Sequence, residues 1–562
     1  MSAARRHKYI FVLGGVMSGV GKGVTTSSIA KILQARGFTV SPVKIDPYLN
    51  VDAGTMNPIE HGEVFVLDSG LECDQDMGNY ERFLDTPLPP ENYMTSGMVY
   101  KHVIDKERAL GYGGKCVDPV PYICEEITRR LKRSQEKTGA DITIVEIGGT
   151  VGEYQNAMFI EAARILKLKH PEDVLFVLVS YLPVPGKIGE MKTKPTQEAV
   201  RTMNSYGVHP DIIIARSDRP LDKKRKEKIA VSSNIAAEDI ISAPDIESIY
   251  EIPINFEKDE LSDRLLKRLR LRPRSTDLHE WRAMVARLQK AREEVPIAIV
   301  GKYFKTGDFV LSDVYISVIE SLKHAGAAQG KKVSISWLDS TEYEEDSSSH
   351  NGGKKKLKEL SRYAGILVPG GFGERGVEGK IKVIEYAREN GIPYFGLCYG
   401  MQLAIVEFAR NCLGFAHAHT TEIDGNTAHP VIDIMPEQKE HMREGKYGAT
   451  MRLGAYPAEL LEGTIAHTAY GADSISERHR HRYEVNPDYV ERIETGGGVF
   501  SGRSPNGVLM EIFELPTKVH PFFVGTQFHP EFKSSPLKPH PLFTAFMKAT
   551  ARESLKKKRQ AL

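Results

Sequence analysis

The sequence predicts an α/β protein, two parallel-sheet domains in series, and three observations lead there. Continuous apolar runs recur through the first half, "YIFVLGG", "DITIVEIGG", "VLFVLVSYL" and "PDIIIAR", with helical stretches between them. Strands that read apolar throughout belong to a sheet covered on both faces, which is the mark of parallel pairing. The rhythm stops around Pro273 and restarts at "VPIAIVGKY", and 562 residues are too many for one core. The reading is a doubly wound N-terminal domain over 1–274, a linker helix over 275–294 and a second α/β domain over 295–562.

The first strand, "KYIFVLGG", ends in glycines and leads into "VTTSSIAKILQARG", where Ile29, Ile32 and Leu33 share a helical face and Gly37 is placed to cap the C-terminus. "FTVSPVKID" follows as a second strand. In the linker, Asp277 is a candidate N-cap and Trp281, Met284, Val285 and Leu288 form one apolar stripe. The segment 343–356, "YEEDSSSHNGGKKK", has the composition of a surface loop, and "KKRKEK" (223–228) reads as a solvated helix face.

Composition excludes several classes. A net charge of +1 gives no general attraction to nucleic acid or an anionic membrane. Five cysteines without a C-x-x-C pair argue for reduced thiols. No apolar run approaches the roughly 18 residues of a membrane span, and the start "MSAARRHKYIFVLGG" has no signal-peptide apolar region. A cytoplasmic protein is the expectation.

"GGVMSGVGKGVTTSS" (14–28) has the glycines and lysine of a phosphate loop, between a strand and a helix whose free N–H groups face an anion. It departs from the usual pattern twice. Five residues separate Gly15 from Gly21-Lys22, and Gly23 stands where a Ser or Thr would hold Mg²⁺. The metal therefore needs carboxylates from elsewhere. Glu146, a charge inside the apolar strand "TIVEIGGT", is the best single candidate, because a buried carboxylate needs a partner. Asp74 and Asp76 read as acids of a polar loop.

The strings "KIDPYLNVDAGTMNPIEHGEVFVLDSG", "NYERF", "EIGGTVG" and "KTKPTQ" resemble the amidoligase domain of the CTP synthase family. The resemblance implies ATP on Gly19, Val20, Gly21, Lys22, Gly23 and Val24, with Lys44 and Arg216 facing the transferring phosphate. Pro244, Asp245 and Ile246 would lie near the adenine, and Asp76 and Glu146 would hold Mg²⁺. It implies UTP, or CTP as product and inhibitor, at Ser18, Glu153, Tyr154, Gln155, Lys192, Thr193, Lys194, Pro195, Thr196, Gln197 and Lys228. ATP would phosphorylate the uracil 4-oxygen and ammonia would displace that phosphate. The chain departs from the family where G-D-I-E-S is usual, reading "GEYQN" (152–156), which puts inhibition by CTP in question. Asp118 and Tyr122 also stand where the family has Gln and His.

In the second domain, "IPYFGLCYGMQLAIVEFA" places Cys398 in a Gly-x-Cys-x-Gly turn between strand and helix, a corner that exposes a nucleophile at a helix N-terminus. Cys412 has no such setting and reads as a small hydrophobe. "VGTQFHPEF" offers His529 as base and Glu531 to orient it, two residues apart on one face of an extended chain. Oxyanion donors would be N–H groups of "PGGFG" (369–373) and of Tyr399. These elements in this order resemble the class I glutamine amidotransferases, in which Gly371, Tyr399, Gly400, Met401, Gln402, Glu422 and Arg482 match glutamine-binding positions. Tyr399 replaces a more usual leucine. The histidine groups of "FAHAHTTEIDGNTAH" and "ERHRHRYEV" lack metal-ligand spacing.

The resemblance also implies internal transfer of ammonia, a homotetramer and activation by GTP. A cobyrinate-type amidase is disfavoured by "KTKPTQ" and by the form of the cysteine triad. A non-catalytic ATPase switch or filament-forming scaffold is disfavoured by the intact Cys398, His529 and Glu531, although filament assembly is compatible with catalysis.

Overall fold

The structure is a computed structural model that describes residues 7–57, 61–186, 189–302, 305–306, 309–310, 312–344, 352–434 and 451–561. Residues 345–351 of the surface loop expected at 343–356 lie outside these residues, and 352–356 begin the helix Gly352–Glu359 rather than continuing a loop. Two compact units form, Met1–Ala53 with Asp76–Val285, and Gly54–Gln75 with Ala286–Leu562. The division is not linear in sequence: 22 consecutive residues between two N-terminal strands pack with the second unit.

The first unit is built on a seven-stranded sheet. Its spatial order is Tyr93–Thr95, Val40–Asp46, Ile142–Ile147, Lys8–Gly15, Val174–Tyr181, Ile212–Ser217 and Ile240–Pro244. Every pairing is parallel. The central Lys8–Gly15 strand is buried throughout, as its apolar run requires. Its C-terminal end opens at the topological switch of the sheet, where open α/β sheets bind ligands. The helix Lys22–Ala35 follows, burying Ile29, Ile32 and Leu33, and Gly37 leaves it at φ +85°.

In the linker, Asp277 accepts the His279 N–H at 2.8 Å ahead of the helix His279–Lys290. The Trp281 indole N–H donates to the Tyr250 carbonyl at 2.8 Å, and its ring packs on Phe83 and Tyr250. The boundary between the units falls inside this helix, after Val285.

The second unit has a nine-stranded sheet in the order Lys331–Asp339, Glu293–Gly301, Gly365–Val368, Tyr394–Leu397, Phe523–Thr526, Met510–Leu515, Val499–Arg503, Arg452–Leu460 and Ser474–His481. The first five strands are parallel and the rest antiparallel. A hairpin from the N-terminal sequence, Val64–Val66 paired with Glu72–Asp74, belongs to this unit. The polar loop expected around Asp74 and Asp76 is instead a strand end and the start of the helix Asp76–Leu84. Asp74 lies opposite Val64 in the hairpin, and short-range composition could not reveal a partner strand. Among the described residues no helix is long and apolar enough to cross a membrane.

Candidate active sites

The phosphate loop bends through αL conformations at Gly19 (φ +70°) and Gly21 (φ +90°). Glycine is needed most at position 23. A Cβ there would overlap the Asp76 carboxylate, so the place that a Ser or Thr side chain would occupy is filled by an acid from another element. The loop's missing hydroxyl and the Asp76 carboxylate are one feature. Lys22 is buried beside them, donating to the Gly149 carbonyl at 2.8 Å, and burial lowers its pKa.

Asp76 and Glu146 converge on one ammonium. Lys44 Nζ donates to Asp76 Oδ2 and, at 3.0 Å, to Glu146 Oε1; Tyr80 donates to the other Glu146 oxygen. Burial pushes the Glu146 pKa up against the pull of Lys44. For Asp76 burial acts in the same direction, but the Lys44 ammonium prevails and holds the carboxyl below its usual range. Two carboxylates at a phosphate loop are a donor set that suits Mg²⁺, which takes one or two protein carboxylates and completes its shell with phosphate and water.

Gly21, Val24, Arg216, Pro244, Asp245 and Ile246 line a cavity of about 330 Å³ together with Ile249, Ile252 and Phe256. Arg216 pairs with Asp245 at 2.5 Å and donates to the Val20 carbonyl at 3.3 Å. Ser18 and Tyr154 are exposed, the latter at 96%. Glu153 accepts the Thr150 N–H at 3.0 Å and hydroxyl at 2.6 Å, and Gln155 donates to it at 2.7 Å. Lys192 pairs with Glu190 at 2.6 Å and Lys194 with Glu198 at 3.0 Å, and exposed Lys228 also bears electrostatically on Glu190. Thr193 precedes the helix Lys194–Ser205, with Pro195 in its first turn, and Gln197 reaches back to the Thr193 hydroxyl at 3.5 Å. Thr196 is turned away from solvent: its hydroxyl accepts from Ser180 inside the core at 2.8 Å.

The second site is set by close backbone packing. Cys398 sits at φ 50°, ψ −100°, between the strand Tyr394–Leu397 and the helix Tyr399–Asn411, a conformation that costs an L-residue energy and needs support. The flanking glycines provide it. A Cβ at Gly396 would lie 2.7 Å from the Gly400 carbonyl carbon, and one at Gly400 would overlap the Val368 carbonyl. His529 Nδ1 and Glu531 Oε1 are 2.7 Å apart. Burial opposes charge on the His529 ring, yet the Glu531 carboxylate and the Cys398 sulfur outweigh it and raise the pKa to about 10. The ring is therefore an imidazolium at neutral pH, the partner a cysteine thiolate needs.

Cys398, His529, Glu531, Gly370, Gly371 and Arg482 line a cavity of about 300 Å³. Glu422 lies behind the glycine loop, accepting the Gly373 N–H at 2.8 Å, with its pKa raised by burial. Gln402 is buried and donates to the Tyr483 carbonyl at 2.9 Å. Met401 packs under Gly525, where an added Cβ would lie 2.8 Å from its own. Gln527, absent from the sequence reading, donates to Cys398 Sγ at 3.8 Å. Lys302 was missed as well: it clamps the glycine loop through the Phe372 and Gly373 carbonyls. The signal used for Glu146, a charge at the end of an apolar strand, also marks Lys302 in "VPIAIVGK". Gly54, Thr55, Met56, Asn57, Glu63 and Val64 form another wall of the cavity, which no local pattern announced.

A phosphate-loop sheet with paired acids and a cysteine–histidine–glutamate site on a second α/β unit define a glutamine-dependent amide ligase. Comparison with known proteins agrees. The family described as CTP synthase N-terminus matches residues 8–271, and glutamine amidotransferase class-I matches 310–549. A CTP synthase of Pyrococcus abyssi is 50% identical over 96% of this chain and 97% of its own length. That of Methanocaldococcus jannaschii is 49% identical over 98% and 99%. The chain belongs to the CTP synthase family, with a synthetase half and a glutaminase half.

Proposed function

We propose that the chain converts UTP to CTP with ATP and L-glutamine, and that the sites described above divide the work. Cys398 attacks the glutamine carboxamide, His529 gives its proton to the leaving ammonia, and the Gly371 and Tyr399 N–H groups stabilise the oxyanion. Glu422 and Arg482 suit the ammonium and carboxylate of the amino acid, with Gly400, Met401 and Gln402 shaping the site. Water then hydrolyses the thioester, with His529 as base. In the synthetase half the γ-phosphoryl group of ATP passes to the uracil 4-oxygen. Ammonia adds to C4, phosphate leaves with the bonding electrons, and nitrogen loses a proton.

ATP phosphates fit Gly19 to Val24 and Lys22, with the base in the cavity at Pro244, Asp245 and Ile246. Lys44 and Arg216 balance the charge on the moving phosphoryl group. UTP fits Ser18, Glu153 to Gln155, Lys192 to Gln197 and Lys228, although the Thr196 hydroxyl is engaged elsewhere. Asp76 and Glu146 would hold Mg²⁺, which neutralises triphosphate charge. Internal delivery of ammonia from the glutaminase to the synthetase half follows from the family resemblance. A homotetramer, GTP activation and a cytoplasmic setting rest on the family resemblance and composition; sedimentation with and without nucleotide tests the first.

The observation that carries this reading is the strained Cys398 turn facing the His529–Glu531 pair in one cavity. The test is Cys398→Ala, assayed with UTP, ATP and Mg²⁺. The variant should make CTP from ammonium at the wild-type rate and lose glutamine-dependent synthesis by roughly 1,000-fold or more. A wild type that makes no CTP from either nitrogen source defeats the reading.

A further inference from the structure

The strand Ser474–His481 supports two members of the triad through its backbone. The Arg478 carbonyl accepts the His529 N–H at 2.8 Å, and the Arg480 carbonyl accepts from Cys398 Sγ at 3.9 Å. The side chains of these same residues, two apart and so on one face of the strand, both reach the hairpin of Val64–Val66 and Glu72–Asp74. Arg478 Nε donates to Asp68 at 2.5 Å and its Nη1 to the Val66 carbonyl at 3.1 Å. Arg480 Nε donates to Glu72 at 2.8 Å. The Arg478 and Glu72 side chains are 1% and 2% exposed, so neither charge has water to fall back on if its partner is lost.

Three further contacts tie down the same segment. At the hairpin turn the Ala455 N–H donates to the Asp68 carbonyl at 3.0 Å, and a Cβ on Gly454 (φ +91°) would lie 2.6 Å from the Gly70 nitrogen. The Phe65 ring meets Phe532 edge-on at 5.0 Å, and Phe532 in turn stacks on the His529 ring at 5.1 Å. The Glu63 carboxylate accepts the Ser317 N–H at 3.2 Å in the first turn of the helix Ile316–Ala328, whose Ser321 hydroxyl donates to the Glu531 carbonyl at 3.3 Å. Each triad residue thus has a short chain of contacts leading to the segment 63–74.

We propose that this hairpin is a positioning element of the glutaminase, and that Asp68 and Glu72, through Arg478 and Arg480, hold Cys398 and His529 in reacting geometry. Glu72 is four residues from Asp76, an acid of the nucleotide site, so one stretch of chain serves both reactions. A shift of the hairpin would change the rate of glutamine hydrolysis without altering any residue that touches glutamine. The inference rests on the triad role given to Cys398, His529 and Glu531.

The test uses full-length Asp68→Asn, Glu72→Gln and the double variant, with Cys398→Ala in parallel. The kcat for glutamine hydrolysis should fall roughly 10- to 100-fold, the penalty of slightly misplaced reacting groups, while KM for glutamine moves less than about threefold. CTP formation from ammonium should hold at the wild-type rate, and the pH profile of Cys398 alkylation by iodoacetamide should change. Glu72→Asp, which keeps the charge, should recover part of the loss. Unchanged glutamine hydrolysis in the double variant overturns the proposal. So does an equal fall in the ammonium-dependent rate, which would assign the two ion pairs to folding alone. A Cys398→Ala protein that still hydrolyses glutamine would instead sink the triad reading, whatever the hairpin variants do.

Discussion

The two active sites use the same local device, glycines at a turn between a parallel strand and a helix, for opposite purposes. In the synthetase half the glycine at 23 makes room for a side chain, the Asp76 carboxylate. In the glutaminase half the glycines at 396 and 400 make room for backbone, so that Cys398 can be held in a strained corner. The first site gathers charges, Lys22, Lys44, Asp76 and Glu146, in one buried cluster. The second is assembled in advance, with its imidazolium, carboxylate and thiol already in register. A site for phosphoryl transfer needs charge and room; a nucleophilic site needs fixed geometry.

If the second site depends on that fixed geometry, Glu531→Gln should be the most damaging conservative change, lowering glutamine-dependent synthesis by roughly 1,000-fold. The sign of its pH effect is also determined. Glu531 and Cys398 raise the His529 pKa to about 10, so the charged ring is retained through neutral pH and lost as pH rises through that value. Without the carboxylate the ring loses its proton at lower pH. The wild-type alkylation rate at Cys398 should then break as pH rises through about 10, where the His529 ring loses its charge, and in Glu531→Gln that break should move to lower pH. Matching profiles would break the contrast between the sites. In the synthetase half, Gly23→Ser restores the usual phosphate-loop residue and yet should cost roughly 100-fold in CTP formation from ammonium, because the new side chain displaces Asp76. Glutamine hydrolysis should be spared, and a fully active Gly23→Ser enzyme would show that the acid can move aside.

These contrasts also separate what the sequence could disclose from what it could not. Strand and helix series were legible because apolar runs record burial on both faces, and Cys398 because Gly-x-Cys-x-Gly has few other uses. Gly23 pointed to an acid from another element, which the structure gives as Asp76, and Glu146 was visible as a charge in an apolar strand. The first strand and turn of the hairpin 63–74 lie within the rare string 44–70, but its docking was hidden. Its partners Arg478 and Arg480 lie 410 and 408 residues away, and pairings at that separation leave no local periodicity. Thr196 shows the same limit on a smaller scale: Lys194, two residues before it, is exposed, while the Thr196 hydroxyl is held by Ser180 in the core.

A smaller effect sharpens the picture of a preassembled glutaminase. Lys380 is buried, with its ammonium 5.1 Å from the centre of the Tyr399 ring and no hydrogen-bond partner among the described residues. Burial, with a further push from Lys302, lowers its pKa from 10.5 to about 7 despite the attraction of Glu422. Between those values the unfolded chain holds a proton that the folded chain gives up, so the lysine's contribution to stability rises with pH across that window. Lys380→Met should therefore stabilise the protein at pH 7, by on the order of 1 kcal/mol, and the gain should shrink toward about pH 10. Thermal denaturation at the two pH values measures it. A variant less stable at both would mean that the ammonium is held by interactions that burial alone does not describe.

The smallest expected effect lies at the pyrimidine side of the synthetase half. Gln155 donates to Glu153 at 2.7 Å, so the segment carries one negative charge where a Glu at 155 would give two. The family's usual glutamate has no amide proton to spend on Glu153, which leaves its carboxylate available to a ligand hydroxyl. CTP inhibition should accordingly be weaker in the wild type than in Gln155→Glu, by a few-fold, since a hydrogen bond to a charged acceptor is worth roughly 1.5–3 kcal/mol and repulsion from Glu153 offsets part of it. The inhibition constant for CTP against UTP, compared between the two proteins at one ATP concentration, decides the matter. Equal constants would place product recognition outside 153–155 and make the open, charge-gathering character of this site a property of its lysines alone.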